Sequence, residues 1–164
     1  MILSAIMVVS ISNVAQAYSI LKASINMPDQ YNISVVPTWN NYDYNTELNG
    51  AIYAWNDSAA RVLLKNVSSS PITYIKITDY NFGNIGWDAM SNCISFTYYT
   101  PNIQINHSMY PFGGNATELI SHELGHTLRL DDVTDTDVLM RSSGYKGNPN
   151  PAGDDINGVN SVYP

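Results

Sequence analysis

Hydrophobic positions along this 164-residue chain change period several times, and each period predicts an element. In TELNGAIYAWN (46–56), Leu48, Ala51, Ile52 and Trp55 recur at i, i+3, i+4 and i+7, which is one face of a helix with Asn45 or Thr46 as its cap. ISVVPTW (33–39) is rich in β-branched residues and reads as a strand. Pro37, which has no N–H to donate, assigns that strand to a sheet edge. RVLLKNV (61–67), ITYIKIT (72–78), CISFTYY (93–99) and NIQIN (102–106) read as further short strands between clusters of Ser, Asn, Gly and Pro.

Asn115 followed by Glu118 has the form of a capping box, opening a second helix that carries Leu119, Ile120, Leu124 and Leu128. Residues 133–151 are polar and read as loop, and Ile156, Val159 and Tyr163 predict a short closing helix over 154–163. This order predicts an α+β single domain, a twisted mixed β-sheet with a helix against it. The chain length suits one core and leaves no room for a second domain.

The first seventeen residues, MILSAIMVVSISNVAQA, are apolar, uncharged and close on Ala15-Gln16-Ala17, a small-x-small pattern. They predict a secretion signal over 1–17 that is removed, with 18–164 as the working domain outside the cell. Seven basic against fourteen acidic residues give a formal net charge of -7, which disfavours nucleic acid and anionic membranes and favours cations. Cys93 is the single cysteine, so no intramolecular disulfide can form, and it reads as a small buried apolar residue.

The strongest chemical signal is HELGHTLRLDD, residues 122–132. Histidines four apart on a helix stack on one face, where two neutral ring nitrogens reach one zinc ion, and Glu123 beside them can point at its water without being a ligand. A third ligand must come from elsewhere. The histidines are at 107, 122 and 126 and the glutamates at 47, 118 and 123, so neither type lies downstream of the motif. That removes the peptidases whose third ligand is a later glutamate. The downstream donors are aspartates, and Asp131 and Asp132 are the two within a short return from His126. His107, at the end of an alternating strand, reads as structural or substrate-side.

HELGHTLRLDD is similar to the metzincin signature H-E-x-x-H-x-x-G-x-x-H/D, and VLM at 138–140 looks like the Met-turn that follows it. GAIYAWN, IGWDAM, IQIN and DDINGVNSVY resemble matrixin-like catalytic domains in order and spacing, over residues 31 to 163. The resemblance implies a metzincin-like fold with an active-site helix, a Met-turn and a short C-terminal helix. It implies Asp132 as the third zinc ligand, a snapalysin-like feature, with Asp131 beside it and Met140 as an apolar floor under the metal. At the family's glycine this chain has Arg129; a left-handed conformation there costs a non-glycine residue about 1 kcal/mol.

The function so implied is a secreted, monomeric zinc endopeptidase. A water on the zinc attacks the peptide bond, and Glu123 takes its proton and passes it to the leaving amine. An extended protein or peptide substrate is expected along NIQINH (102–107), and Arg141 and Tyr145 belong to a loop that resembles the wall of the pocket beyond the cleaved bond. Calcium at Asp135 and Asp137, or at Asp154 and Asp155, is a weaker expectation. The competing class is a catalytically silent extracellular binding module that keeps the fold.

Overall fold

A computed structural model describes residues 18–21, 29–93 and 100–164. The predicted leader and most of CISFTYY therefore lie outside the described residues.

Period-two alternation builds the main sheet. β2 (Ile33–Thr38), β4 (Ile75–Tyr80) and β6 (Asn102–Asn106) send Ile33, Val35, Ile75, Ile77, Ile103 and Ile105 to one face, each at most 1% exposed. Ser34, Lys76 and Gln104 take the other face. With β3 (Leu64–Asn66) and β5 (Ala89–Asn92) the order is β3-β2-β4-β6-β5, in which the first four strands run parallel and β5 antiparallel to β6. A separate two-stranded ribbon pairs β1 (Ser19–Ile20) with β7 (Leu130–Asp131).

α1 (Asn45–Asn56) and α2 (Ala116–Thr127) join the apolar face in one core, through Leu48, Ala51 and Trp55 from α1 and Leu119, Ile120 and Leu124 from α2. The Trp55 indole N–H donates to the Ser121 carbonyl at 2.9 Å, satisfying its one polar atom and fixing the helices against each other. α3 (Gly153–Val162) adds Val159 to the same core. Among the described residues no helix is long and apolar enough to cross a membrane. Among the described residues there are a mixed five-stranded sheet and three α-helices, which is the α+β class that the residue pattern predicted.

Several details differ. β2 is not an edge strand: it lies between β3 and β4. The Val67 N–H donates to the Val35 carbonyl, so Val35 faces β3, and Pro37, two residues on, faces the same side after β3 has ended. Its missing N–H breaks no ladder bond. Neither helix uses the cap its sequence suggested. α1 starts at Asn45, whose N–H is accepted by the Asp43 carboxylate at 2.9 Å. At α2, the Asn115 amide turns back to the Phe112 and Gly113 carbonyls, and Glu118 is buried against other partners. β4 starts three residues later than ITYIKIT predicted, and the edge strand β5 falls before CISFTYY.

Candidate metal centre

α2 sets His122 and His126 one turn apart with their Nε2 atoms 3.1 Å from each other. Each ring is turned by its other nitrogen: His122 Nδ1 lies 2.9 Å from the Leu139 carbonyl and His126 Nδ1 2.9 Å from the Leu130 carbonyl. A carbonyl only accepts, so both Nδ1 atoms donate, and in the neutral rings both Nε2 atoms present lone pairs to the same point. Two lone pairs so close repel unless a cation or a proton lies between them.

The third donor closes the triangle. Asp132 Oδ1 lies 3.2 Å from His122 Nε2 and 3.8 Å from His126 Nε2. Donors at 2.0–2.1 Å from a tetrahedral zinc are about 3.3–3.4 Å apart, and the three separations bracket that value. These three residues therefore fit a zinc ion by geometry and by donor type. Among the described residues they are the one group of three or more His, Cys, Asp or Glu side chains so gathered.

Without a metal, a proton serves the same cluster. Burial works against a charge on His122, but the hydrogen bond to Asp132, the charge of Glu123 and the Leu139 carbonyl outweigh it, and its pKa is raised from 6.5. Burial alone would lift the Asp132 carboxyl. The His122 hydrogen bond and the charges of His126 and His122 prevail, and it is lowered from 3.8.

Asp132 reaches the histidines because the chain reverses at Arg129, whose φ is +79°. The left-handed turn is thus made by an arginine. Its guanidinium donates to the Leu21 carbonyl at 3.0 Å, and the Leu21 N–H donates to the Arg129 carbonyl at 2.9 Å, so the turn is held from the β1 side. Asp131 accepts the Asp132 N–H at 2.9 Å and does not join the donor triangle.

Met140 returns beneath α2. A side chain on Gly125 would overlap the Met140 sulfur, so the glycine inside HELGH is what lets Met140 close the floor. The carboxylate of Asp155 fixes this floor from α3, accepting the N–H groups of Leu139 at 2.9 Å, Met140 at 3.2 Å and Ala152 at 2.7 Å. Glu118 plays the matching role for the next loop, holding the Arg141 guanidinium and the N–H groups of Lys146 and Asn148.

A cleft of about 770 Å³ opens beside the triangle, between β5, α2 and residues 141–145. Glu123 lines it and is 5% exposed. The Tyr145 hydroxyl donates to the Asp88 carboxylate, joining the two walls; burial, and then that bond, push its pKa up. Burial and the nearby Glu123 charge push the Cys93 thiol up to about 12, so it lines the cleft as an unionised group. Arg141 is buried against Glu118 and the Val138 carbonyl rather than free in the loop. His107 stands apart from the metal cluster, hydrogen-bonded through Nδ1 to the Tyr44 hydroxyl at 2.8 Å and stacked on Tyr110. Asp155 is taken up by backbone N–H groups, and Asp135 accepts the Asp137 N–H at 2.9 Å.

One expectation about the cleft is overturned. NIQIN is β6, hydrogen-bonded to β4 on one side and β5 on the other, and it has no free edge for an added peptide. Among the described residues no strand pairs with the outer edge of β5, which borders the cleft. Ser91, Asp88 and Gly125 were not singled out by sequence, and Asp155 was named only as a calcium candidate, whereas its carboxylate is held by backbone N–H groups. Gly125 lay inside the motif, and only its contact with Met140, fifteen residues on, gives it a role.

No family model matches this chain, and a search of curated proteins returns no match.

Proposed function

We propose that the chain is a secreted zinc-dependent endopeptidase of the metzincin type, with His122, His126 and Asp132 as the zinc ligands and Glu123 as the general base. The observation that carries this reading is the convergence of three donor atoms at tetrahedral spacing, with a buried carboxylate beside them. A closed structural site takes four protein ligands; three leave a position open to the cleft.

A bound zinc ion would supply Lewis acidity toward the scissile carbonyl and the attacking water. The protein's own part is positional. The Leu139 and Leu130 carbonyls fix the imidazole tautomers, Asp132 brings one negative charge, and Met140 closes the floor. Glu123 accepts the proton of the attacking water and hands it to the leaving amine nitrogen as the C–N bond breaks. Among the described residues no strand pairs with the outer edge of β5, and an extended peptide added at that edge lies across the mouth of the cleft. Met140 in the floor and the turn at Arg129 are the features that favour the metzincin type.

The test is a zinc assay and a casein or peptide-library digestion on the protein, next to Glu123→Gln. Expected are one zinc per chain in both and proteolysis in the native protein alone. Full zinc occupancy with no cleavage by the native protein would favour the silent binding module.

A further inference from the structure

We infer that Ser91 is a positioning residue for the general base, holding one oxygen of Glu123 so that the other is presented to the reacting centre. The inference rests on the peptidase reading and deepens it.

Ser91 is the third residue of β5, which stands last in the sheet order, with no strand on its outer side among the described residues. Its hydroxyl lies 2.6 Å from Glu123 Oε2 and 3.0 Å from the Glu123 carbonyl oxygen. An O–H to a carboxylate oxygen at that distance is a charge-assisted bond, among the stronger kinds a side chain makes. The second contact locates the serine over the backbone of the same residue, so the hydroxyl spans Glu123 from main chain to carboxylate. Alternation along β5 exposes Met90 and Asn92 and turns Ala89, Ser91 and Cys93 inward. Neither neighbour of Ser91 can take its place.

The register adds a second half. The Asn106 N–H donates to the Asp88 carbonyl, so residue 88 faces 106 as a hydrogen-bonded pair. Pairs alternate in an antiparallel ladder, so the N–H and C=O of Ser91, which lies opposite Ile103, point away from β6 toward the outer edge of the sheet. The main chain of Ser91 is thus offered to a peptide added at that edge, while its side chain grips the base. A substrate strand docking there settles the residue that aims Glu123.

The consequence concerns where the transferred proton resides. With Oε2 already accepting from Ser91, the proton taken from water goes to Oε1, the oxygen left for the cleft, and leaves from there to the amine nitrogen as the C–N bond breaks. Removing the hydroxyl frees both oxygens and lets the side chain rotate.

The test compares Ser91→Ala and Ser91→Thr with the native protein. Readouts are zinc affinity by chelator competition, kcat and KM on a peptide, and the Glu123 orientation in crystals of the metal-free forms. Expected for Ser91→Ala are native zinc affinity, KM within about twofold, and kcat lower by about tenfold, the scale of one charge-assisted hydrogen bond. Glu123 should occupy more than one orientation in metal-free Ser91→Ala and a single one in the native protein. Ser91→Thr, which keeps the hydroxyl, should recover most of kcat. A native kcat in Ser91→Ala, an unchanged single orientation of Glu123, or equal losses in both variants with weaker zinc binding would each overturn the inference. A native protein that holds zinc and cleaves nothing would instead overturn the peptidase reading on which it rests.

Discussion

The two halves of the donor triangle are built by different means. His122 and His126 sit on a regular helix, each ring locked by a carbonyl at 2.9 Å, with side chains 18% and 15% exposed. Asp132 lies on the return, 46% exposed, after a left-handed arginine and a two-residue strand. Helical hydrogen bonds set the two histidines one turn apart, and the Leu139 and Leu130 carbonyls only orient their rings. The position of Asp132 itself depends on the Arg129 turn held by Leu21 and on the Val133 N–H bonded to the Met140 carbonyl. The helix half should therefore set the affinity for the metal, and the return half should set how well the site is completed.

The largest expected effect tests that order directly. His126→Ala should lose zinc on dialysis, while Asp132→Ala should keep weakened binding, by at least the 10- to 100-fold typical of disturbing a ligand's partner. Equal loss in both, measured by chelator competition, would erase the distinction. Next is Met140→Ala, which empties the floor under Gly125. It should cost about 2–5 kcal/mol of stability, read from the urea midpoint, and disturb the return half first.

Acid offers a third comparison. His122, raised above 6.5, binds its proton more tightly than a free imidazole, so zinc competes with that proton over a wider pH range. Apparent zinc affinity should fall by up to about tenfold per unit as pH drops below the raised value, and level off above it. In the metal-free protein the signs run in opposite directions for the two partners. The His122 contribution to stability is complete below its unfolded value and is lost as pH rises through the folded one. The Asp132 contribution is present above 3.8 and is lost as pH falls through its lowered value. Metal-free stability should therefore peak between the two, as urea titrations across pH can show.

The smallest effect belongs to Arg129. Arg129→Ala keeps the positive φ and loses the bond to Leu21, a cost of about 1 kcal/mol. Arg129→Gly loses the bond but relieves the turn by about the same amount, so its melting temperature should stay near native. If glycine proved as harmful as alanine, the guanidinium contact alone would account for the residue.

What the sequence made legible was short-range. The helical faces of α1 and α2, the His122 and His126 pair and the strand NIQIN follow from periods and spacings within a single element. The rest depended on partners far along the chain. Pro37 suggested an edge because nothing local reveals that β3 stops at Asn66. Glu118 looked like a capping residue because its true partners, Arg141, Lys146 and Asn148, lie more than twenty residues on. The substrate edge was assigned to β6 because the strand that covers it, β5, is short and weakly patterned. Ser91 carries no motif at all; only folding brings it to Glu123, 32 residues away.

Asp155 links α3 to the donor triangle by a short relay. Its carboxylate holds the Leu139 and Met140 N–H groups, and the Leu139 carbonyl in turn holds His122. Fraying of α3 would release both links at once, so the residence time of a bound ion becomes a property of the last helix. The rate at which a chelator strips the ion and the exchange of the Leu139 and Met140 amides with solvent should then share one local opening event. Trimming the C-terminal helix would shorten the ion's stay without touching a ligand.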